Sequence, residues 1–517
     1  MEKKGLKKEL GIFTLVSLGI GGMIGSGIFI LPAIMGAYAG PGLVLSIFIC
    51  GIIIIFLGIS YAELGSAFPI TGGPYSLPRL ALGDFGGFIM GWGYFLYLFI
   101  GTAGVIDIFV VYLSFYFPGL AHGATLTAHG VTVAVAVLWI LTIINVFGVR
   151  WGGLYAVITT IGKLIPLLIF VLVGLTFFKA SNFKPFIPFG FEGFTLSITL
   201  FFWSYTGFEA IVVPTEEVKN PSKTIPWSMI LTLLITILVY VVIALVFVGM
   251  IEWDALNLVK NDWQGIEKLS SPLSTIPEKM NLPILATIVV IGAIIATAGC
   301  GGSWVLFQGR MPFAMAKDKL FWSPMASVNK KYGTPAASLI FTSILTTIIL
   351  ITIPNFPSVA LIASVAVIVP YAAASISLVI LRTTKKDVER PFKLPFAKTI
   401  TLLGFIFSTY LIYWASWPWT LVGILLMLSG YPIFLLIRRH DLEIKRNLWI
   451  PVYLILVLIV SILGDMRFSL QNFTHFNPLH VLPMPYDLII LTFIAIGIYF
   501  WAYKINVKYD MKKQGGE

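Results

Sequence analysis

Charged residues are scarce in this chain, making up 11% of its 517 residues, whereas an ordinary soluble domain carries about 25%. Hydrophobic residues make up 58%, and the mean hydropathy is +0.95. This composition excludes a water-soluble fold of the same length. At about 20 apolar residues per bilayer crossing, it supplies material for about 14 helices. We therefore predict an all-α polytopic membrane protein.

Cysteine is almost absent as well. The two cysteines, Cys50 and Cys300, both lie inside apolar runs, which excludes a disulfide framework or a cysteine-based metal centre. The five histidines are scattered over predicted loops and helix ends. The nucleotide-binding pattern Gly-x-x-x-x-Gly-Lys-Ser/Thr is missing from the sequence. We expect no metal, no cofactor and no direct use of ATP.

Fourteen long apolar runs, called spans 1 to 14 in chain order, organise the sequence. Residues 1–11 precede them, residues 12–381 hold the first ten, residues 398–504 hold the last four, and residues 505–517 form a tail. This division predicts a ten-helix transport core, four additional transmembrane helices and two short termini.

The net charge of +11 would suggest a nucleic-acid partner in a soluble protein. Here the positions of the 34 basic residues decide against that partner: 27 fall in segments on one side of the predicted spans, six fall on the other side, and Lys163 lies within a span. Basic residues accumulate on the cytoplasmic side of membrane proteins. We therefore expect a multi-pass protein of the cell membrane with both termini in the cytoplasm.

Span 1 carries five glycines between Gly19 and Gly27. Glycine weakens a helix, and a free backbone group in hydrocarbon costs several kcal/mol unless it is satisfied. One interpretation is close helix packing through the Gly-x-x-x-Gly spacing of Gly21 and Gly25. The other is an unwound segment whose backbone amides bind a ligand.

Span 6 favours the second interpretation, because Gly207 and Glu209 lie near the middle of that span. An acid at that depth usually faces a cavity or a partner. Two glycine-interrupted helices in corresponding positions of two halves indicate a transporter whose binding site lies between two repeats. Spans 1 and 6 would be the first helices of two five-helix repeats.

At these residues the chain resembles the amino acid-polyamine-organocation family of transporters, over roughly residues 8–440. The matching stretches are Gly-Ser-Gly-Ile-Phe at 25–29, Gly-Gly-Pro-Tyr at 72–75, Tyr-Thr-Gly-Phe-Glu at 205–209, Glu-Glu-Val-Lys-Asn-Pro at 216–221, Ile-Pro at 225–226, Arg310, Ala-Met-Ala-Lys-Asp at 314–318 and Gly-Thr-Pro at 333–335. The resemblance implies a leucine-transporter-type fold of five plus five inverted helices, broken at spans 1 and 6.

The resemblance also implies how a substrate would be bound. The amides of Gly25, Ser26 and Gly27 would hold an amino acid carboxylate. The carbonyls of Met23, Trp203 and Thr206, beside the break at Gly207, would hold its α-amino group. Aromatic candidates for the wall of the substrate site are Tyr94, Trp203, Tyr205 and Trp304, although an aromatic residue in a span also packs or faces lipid.

Lys163 in span 5 matches a lysine that, in some proton-coupled relatives, occupies the position of a bound cation. The alternative is a lysine whose side chain extends to the cytoplasmic surface. Glu209 is the competing proton site. Asp107 in span 3 is either a further proton site or a hydrogen-bonded structural acid, and Glu63 and Arg79 are expected to be interfacial ion partners or gate residues.

These features together predict a secondary active transporter that imports an amino acid, with a neutral or apolar side chain, in symport with protons. Its partners would be the amino acid, the proton and the lipid bilayer, and no nucleic acid. An exchanger of cationic amino acids or polyamines is an alternative, as is a membrane sensor that binds without transporting. A membrane enzyme would need clustered acids, histidines or metal ligands at one membrane face, and the sequence has no such cluster.

Overall fold

The computed structural model describes residues 10–70, 72–147, 152–269, 271–437, 442–464 and 479–514. Within these ranges the chain forms eighteen α-helices, short 3-10 turns and one small hairpin. Eleven helical segments are long and apolar enough to cross a bilayer, and Ile12–Met23 and Ala336–Thr352 are shorter apolar helices. The prediction of an all-α polytopic membrane protein is confirmed.

Six helices build the first half of the core: α1 (Ile12–Met23), α2 (Gly27–Ala39), α3 (Leu43–Ala67), α4 (Gly73–Leu113), α5 (Ala128–Phe147) and α6 (Gly152–Leu175). The chain then repeats this order with two short helices inserted: α7 (Gly190–Tyr205), α8 (Pro221–Gly249), α9 (Trp263–Glu267), α10 (Pro272–Lys279), α11 (Pro283–Lys317), α12 (Ala336–Thr352) and α13 (Phe356–Thr384). A hairpin of Ala121–His122 and Thr125–Leu126 precedes α5.

The helix contacts are conserved when each helix is replaced by its counterpart in the other half: α1 by α7, α3 by α8, α4 by α11, α5 by α12 and α6 by α13. Helix α1 packs on α8 as α7 packs on α3, and α1 packs on α6 as α7 packs on α13. Helices α4 and α13 meet as α11 and α6 do, and α5 and α12 pack on each other. Each half thus supplies the same partners to the other, which is the contact pattern expected of two inverted repeats.

Burial separates the central helices from those that face lipid. The apolar stretch of α13 is 100% buried and that of α4 is 89% buried, whereas that of α5 is only 28% buried. Helices that are apolar all round belong either in a core or against lipid. Helices α4 and α13 therefore form the centre of the protein, beside both interrupted helices.

Five further helices follow the core: α14 (Ala397–Trp414), α15 (Trp419–Leu428), α16 (Gly430–Ile437), α17 (Trp449–Leu463) and α18 (Tyr486–Gln514). Helix α14 attaches them to α3 and α13. Hydroxyl pairs join α14 to α18 and α17, with Thr401 2.6 Å from Tyr499 and Thr409 3.0 Å from Tyr453. Such interhelical hydrogen bonds stabilise packing where water is excluded.

Two ion clusters lie on the side of the bundle where α1 begins, which we call the inner side. Buried Glu63 of α3 accepts from Arg382 of α13 and from the Leu394 amide. Arg79 of α4 pairs with Asp84 at 2.8 Å and with Asp318 just beyond α11. Glu63 and Arg79 therefore both lie in ion pairs between helices.

Candidate functional site

Span 1 is interrupted. Helix α1 ends at Met23, residues 24–26 are not helical, and α2 begins at Gly27. Ile24 leaves the helix with φ −79° and ψ 85°, and the Gly25 amide donates to the Met23 carbonyl at 2.9 Å. The break lies where the sequence concentrates glycine, because glycine costs little in such a turn and lets other groups approach closely.

Span 6 is interrupted in the same way. Helix α7 ends at Tyr205, Thr206 is extended with ψ 155°, and Gly207 has φ 103°. A 3-10 turn over Phe208–Val212 continues toward the inner side. The left-handed backbone of Gly207 explains why glycine occupies this position, since a side chain there would be strained.

The two breaks touch each other through backbone. A Cβ atom added to Gly207 would lie 2.6 Å from the carbonyl carbon and oxygen of Gly22, and one added to Gly22 would lie 2.8 Å from the Gly207 carbonyl oxygen. Added to Gly25, it would lie 2.9 Å from the sulfur of Cys300. The glycines of span 1 therefore serve close packing as well as the break, and binding of a ligand by the amides of the break stays a prediction.

Free backbone groups remain at the breaks. No hydrogen bond within the described ranges engages the amides of Ser26 and Gly27, which begin α2. The first amides of a helix have no acceptor within it, and that end carries partial positive charge. The Gly25 amide, in contrast, is already bonded to the Met23 carbonyl. Ser26 and Gly27 thus offer the donors that an anion could use.

The three carbonyls expected to hold an amino group differ in their bonding. The Met23 carbonyl accepts from Gly25 and from the Tyr240 hydroxyl at 2.7 Å. The Trp203 carbonyl accepts the amide and hydroxyl of Thr206 at 3.1 and 2.7 Å. The Thr206 carbonyl accepts no hydrogen bond from any described residue. In this conformation Thr206 is therefore the acceptor best placed to receive a cation.

Aromatic side chains crowd the outer side of the breaks. Trp203 of α7 and Trp304 of α11 have ring centroids 5.4 Å apart, and Tyr97 of α4 lies 4.9 Å from Trp304. The Trp203 indole N–H donates to the Ser26 hydroxyl at 3.1 Å. Gly101 makes room for the cluster, since a Cβ there would lie 2.2 Å from Trp304. Trp203 and Trp304 are thus brought together at the break, and their role in the wall of a substrate site stays a prediction.

On the inner side of the breaks lies a hydrogen-bonded acid. Buried Glu209 accepts from the Gly207 amide at 2.9 Å, from the Tyr94 hydroxyl at 3.2 Å and from the Tyr371 hydroxyl at 2.5 Å. These bonds join the turn after α7 to α4 and α13. Tyr94 therefore lies at the site, but as a partner of Glu209 rather than beside the tryptophans.

Tyr205 is not brought together with the other predicted wall residues. Its hydroxyl donates to the Ile47 carbonyl of α3 at 3.1 Å, and its ring packs 5.2 Å from Tyr240. Tyr205 lies two residues beyond Trp203, so its side chain points about 200° away around the helix. Tyr205 therefore faces α3 and α8, whereas Trp203 faces the break. The resemblance alone gave no means of telling these faces apart.

Four residues around the breaks were not predicted from the sequence, namely Tyr97, Tyr240, Tyr371 and Phe356, whose ring centroid lies 5.9 Å from that of Trp203. Tyr97 follows Tyr94 by three residues on one helix, so helical spacing would have found it once Tyr94 was chosen. The other three lie in apolar runs distant in sequence from both breaks. No local pattern distinguishes them from aromatic residues that face lipid.

Lys163 of α6 is buried against the break in span 1. The residue is 1% exposed, and its ammonium group donates to the Gly21 carbonyl at 2.9 Å and to the Ile24 carbonyl at 2.7 Å. One turn earlier, the Thr160 hydroxyl donates to the Ser17 carbonyl at 3.0 Å. The side chain therefore does not extend to the surface, and its charge is held by carbonyls that the unwinding leaves without helical donors.

Comparison with known proteins identifies the family of the chain. The family model described as "Amino acid permease" matches residues 10–459. The chain is 30% identical to the "Aspartate-proton symporter" of Bacillus subtilis (strain 168), covering 97% of each chain. It is 27% identical to that organism's "Glutamate/serine transporter AimA", covering 99% of this chain and 96% of the relative, and 28% identical to its "Branched-chain amino acid permease BcaP", covering 86% and 96%. These matches confirm the resemblance found in the sequence: the chain belongs to the amino acid permease family.

Proposed function

We propose that the protein imports an amino acid with a neutral or apolar side chain by alternating access, in symport with protons. The observation that carries this proposal is the meeting of two interrupted helices at Gly22 and Gly207, with free amides on one side and a free carbonyl on the other. A zwitterion matches that pair of half-sites, because the positive end of α2 suits a carboxylate and the carbonyl end of α7 suits an ammonium.

The bound amino acid would place its carboxylate against the amides of Ser26 and Gly27, with Gly25 contributing after its amide leaves Met23. Its ammonium group would meet the Thr206 carbonyl first, and the carbonyls of Met23 and Trp203 as their present donors move. The Trp203 indole N–H, which now donates to Ser26, would have to yield or turn toward the carboxylate. Gly207 would keep its left-handed conformation throughout.

The aromatic cluster supports an uncharged substrate side chain. Trp203, Trp304 and Tyr97 present uncharged rings beside Ser26. The buried charged groups nearest the breaks, Lys163 and Glu209, are already held by protein partners. A substrate carboxylate buried among the rings would lack a counter-ion, which is costly. Aspartate is the second candidate, favoured by the 30% identity to a relative named for aspartate.

A binding experiment tests this substrate class. Thermal unfolding of the purified protein is measured with each of the twenty amino acids and with common polyamines, because a ligand at 100 times its dissociation constant adds about 2.7 kcal/mol of stability. We expect leucine-like amino acids to stabilise the protein, and their amides and decarboxylated analogues to fail. Stabilisation by a decarboxylated analogue would show that the protein does not need the substrate carboxylate, which would contradict the proposed carboxylate half-site. Stabilisation by aspartate alone would favour aspartate as the substrate.

Lys163 is the proposed coupling group. Its ammonium braces both edges of the break in span 1, and hydrogen bonds to a charged donor are roughly twice as strong as neutral ones. Loss of the proton would weaken that brace and favour another conformation of α1. A ligand shifts a conformational equilibrium only through such a difference in affinity between states. Glu209 is the alternative proton site.

Three variants separate these roles in liposomes that carry an inward proton gradient and no sodium. Lys163→Met removes the group that binds the proton. Lys163→Arg keeps a positive charge, because arginine does not deprotonate at accessible pH. We expect both to bind substrate and to exchange labelled for unlabelled substrate, but to accumulate it far less than the wild type does, because the proton carried by Lys163 no longer drives uptake. Glu209→Gln should still accumulate it. Accumulation that survives Lys163→Met and fails in Glu209→Gln would assign coupling to Glu209.

A further inference from the structure

Asp107 differs from the other buried acids of the described chain. It lies in α4 with none of its surface exposed, and neither carboxyl oxygen has a hydrogen-bond partner. In contrast, Glu63 is bonded to Arg382, Glu209 to two tyrosines, and Asp487 of α18 to the Tyr413 hydroxyl at 2.5 Å. The structure thus excludes the hydrogen-bonded structural acid that the sequence left open.

Asp107 does not belong to the substrate site. It follows Gly101 by six residues, about 9 Å along the helix and a third of a turn away from the face that meets Trp304. Gly93 lies two heptads earlier on the same face as Asp107. A Cβ on Gly93 would meet the Ala366 carbonyl of α13 and the Met427 sulfur of α15. Nearer to Asp107, a Cβ on Gly104, one turn earlier, would meet Val359 and Phe356 of α13, so the outer part of α4 that carries Asp107 packs on the first turn of α13.

Within the described part of the chain, Asp107 forms no ion pair and no hydrogen bond. The charged and titratable side chains on the described elements packed against α4 are His129 of α5; Cys300, Arg310 and Lys317 of α11; Tyr371 and Arg382 of α13; Cys50, Tyr61 and Glu63 of α3; Tyr431 of α16; Glu209 of the turn after α7; and Lys445 and Arg446 of the 3-10 turn Leu442–Asn447, which meets the inner end of α4 at Ala81. Arg310, Lys317 and Arg382 lie toward the inner ends of their helices, and His129 is exposed at the outer end of α5. Helices α12 and α15 carry no charged residue.

A carboxylate in this setting would be buried without a hydrogen bond or an opposite charge, which is among the costliest arrangements in a protein. We propose that Asp107 is a second proton-binding site, distinct from Lys163. The Asp107 carboxyl group holds a proton in this conformation and releases it during the transport cycle. The proton binds from water as the carboxylate becomes a carboxylic acid. It returns to water when movement between α4 and α13 hydrates the group. The part played in transport rests on the proposed symport.

Infrared spectroscopy tests the proton site without relying on transport. A carboxylic acid with no hydrogen bond gives an isolated carbonyl band. We expect this band in the folded protein at neutral pH, its loss in Asp107→Asn, and a reversible decline toward alkaline pH. Isotope labelling of the aspartate carboxyl carbon identifies the band in wild type should the variant not fold. Absence of the band, or a band unchanged up to the pH at which the protein unfolds, overturns the proposal.

The coupling role is measured from the number of protons moved per leucine, read from the reversal potential of leucine flux in liposomes. The ratio should fall by one in Asp107→Asn and stay at the wild-type value in Ser364→Ala, which removes another buried, unpartnered oxygen from α13. An unchanged ratio in Asp107→Asn overturns the proposal. If wild type moves no leucine, the symport itself fails, and the infrared band still reports on Asp107.

Discussion

Replacing Gly207 by alanine places one methyl group at the contact between the two broken helices. The backbone of Gly207 is left-handed, with φ 103°, and the new Cβ would lie 2.6 Å from the carbonyl of Gly22. Ordinary contact begins near 3.4 Å, so the backbone must separate by about 0.8 Å at this point. No flexible side chain is available to absorb the change, because backbone faces backbone.

The expected loss of transport follows from that displacement. A misplacement of about 1 Å of a positioned group costs on the order of 100-fold in rate, and a left-handed alanine adds about 1–2 kcal/mol of backbone strain. We therefore expect Gly207→Ala to lower the initial rate of leucine uptake by about 100-fold. The unfolding temperature should fall by only a few degrees, because the strain is confined to one residue.

Two alanine variants control for the added methyl group. A Cβ on Gly301 of α11 would meet its nearest neighbour, Leu141, at 3.4 Å, and one on Gly497 of α18 would meet nothing within 4 Å. Both should transport at nearly the wild-type rate when reconstituted at equal density. Near-normal uptake and affinity in Gly207→Ala would refute the reasoning, because the contact between the breaks would then not be needed for transport.

Two further changes probe the inner ion clusters. Glu63→Gln leaves the Arg382 guanidinium without its carboxylate, so we expect about 3 kcal/mol of destabilisation, seen as a lower unfolding temperature; an unchanged temperature would contradict this. Arg79→Ala removes the ion pair between Arg79 and Asp318. The side chains of these two residues are 29% and 39% exposed. An exposed pair contributes at most about 1 kcal/mol, so labelling of cysteines introduced on the inner side should rise up to about fivefold, whereas Arg79→Lys, which keeps the positive charge, should label nearly as the wild type does.

The breaks in spans 1 and 6 could be predicted from the sequence because their cause is local. Glycine concentrates at Gly19 to Gly27 and returns at Gly207, and the helices end at Met23 and Tyr205 beside these positions. The bonding of the freed groups could not be predicted. Whether the Met23 carbonyl is free depends on Tyr240, a residue of α8 distant in the chain.

The side chains around the breaks show the same limit. Trp203 and Trp304 were predicted at the site, and they meet there. Tyr205 was predicted beside them but faces α3, because its direction is set by packing that the sequence pattern does not contain. Asp107 allowed two interpretations, and only the tertiary structure could show that no partner reaches its carboxyl group.

Uptake of labelled leucine by sodium-free liposomes containing only the purified protein tests the central claim most directly. We expect accumulation above the external concentration when an inward proton gradient is imposed, and loss of that accumulation when a protonophore collapses the gradient. Accumulation that requires sodium, or leucine binding without any flux across the membrane, would contradict it.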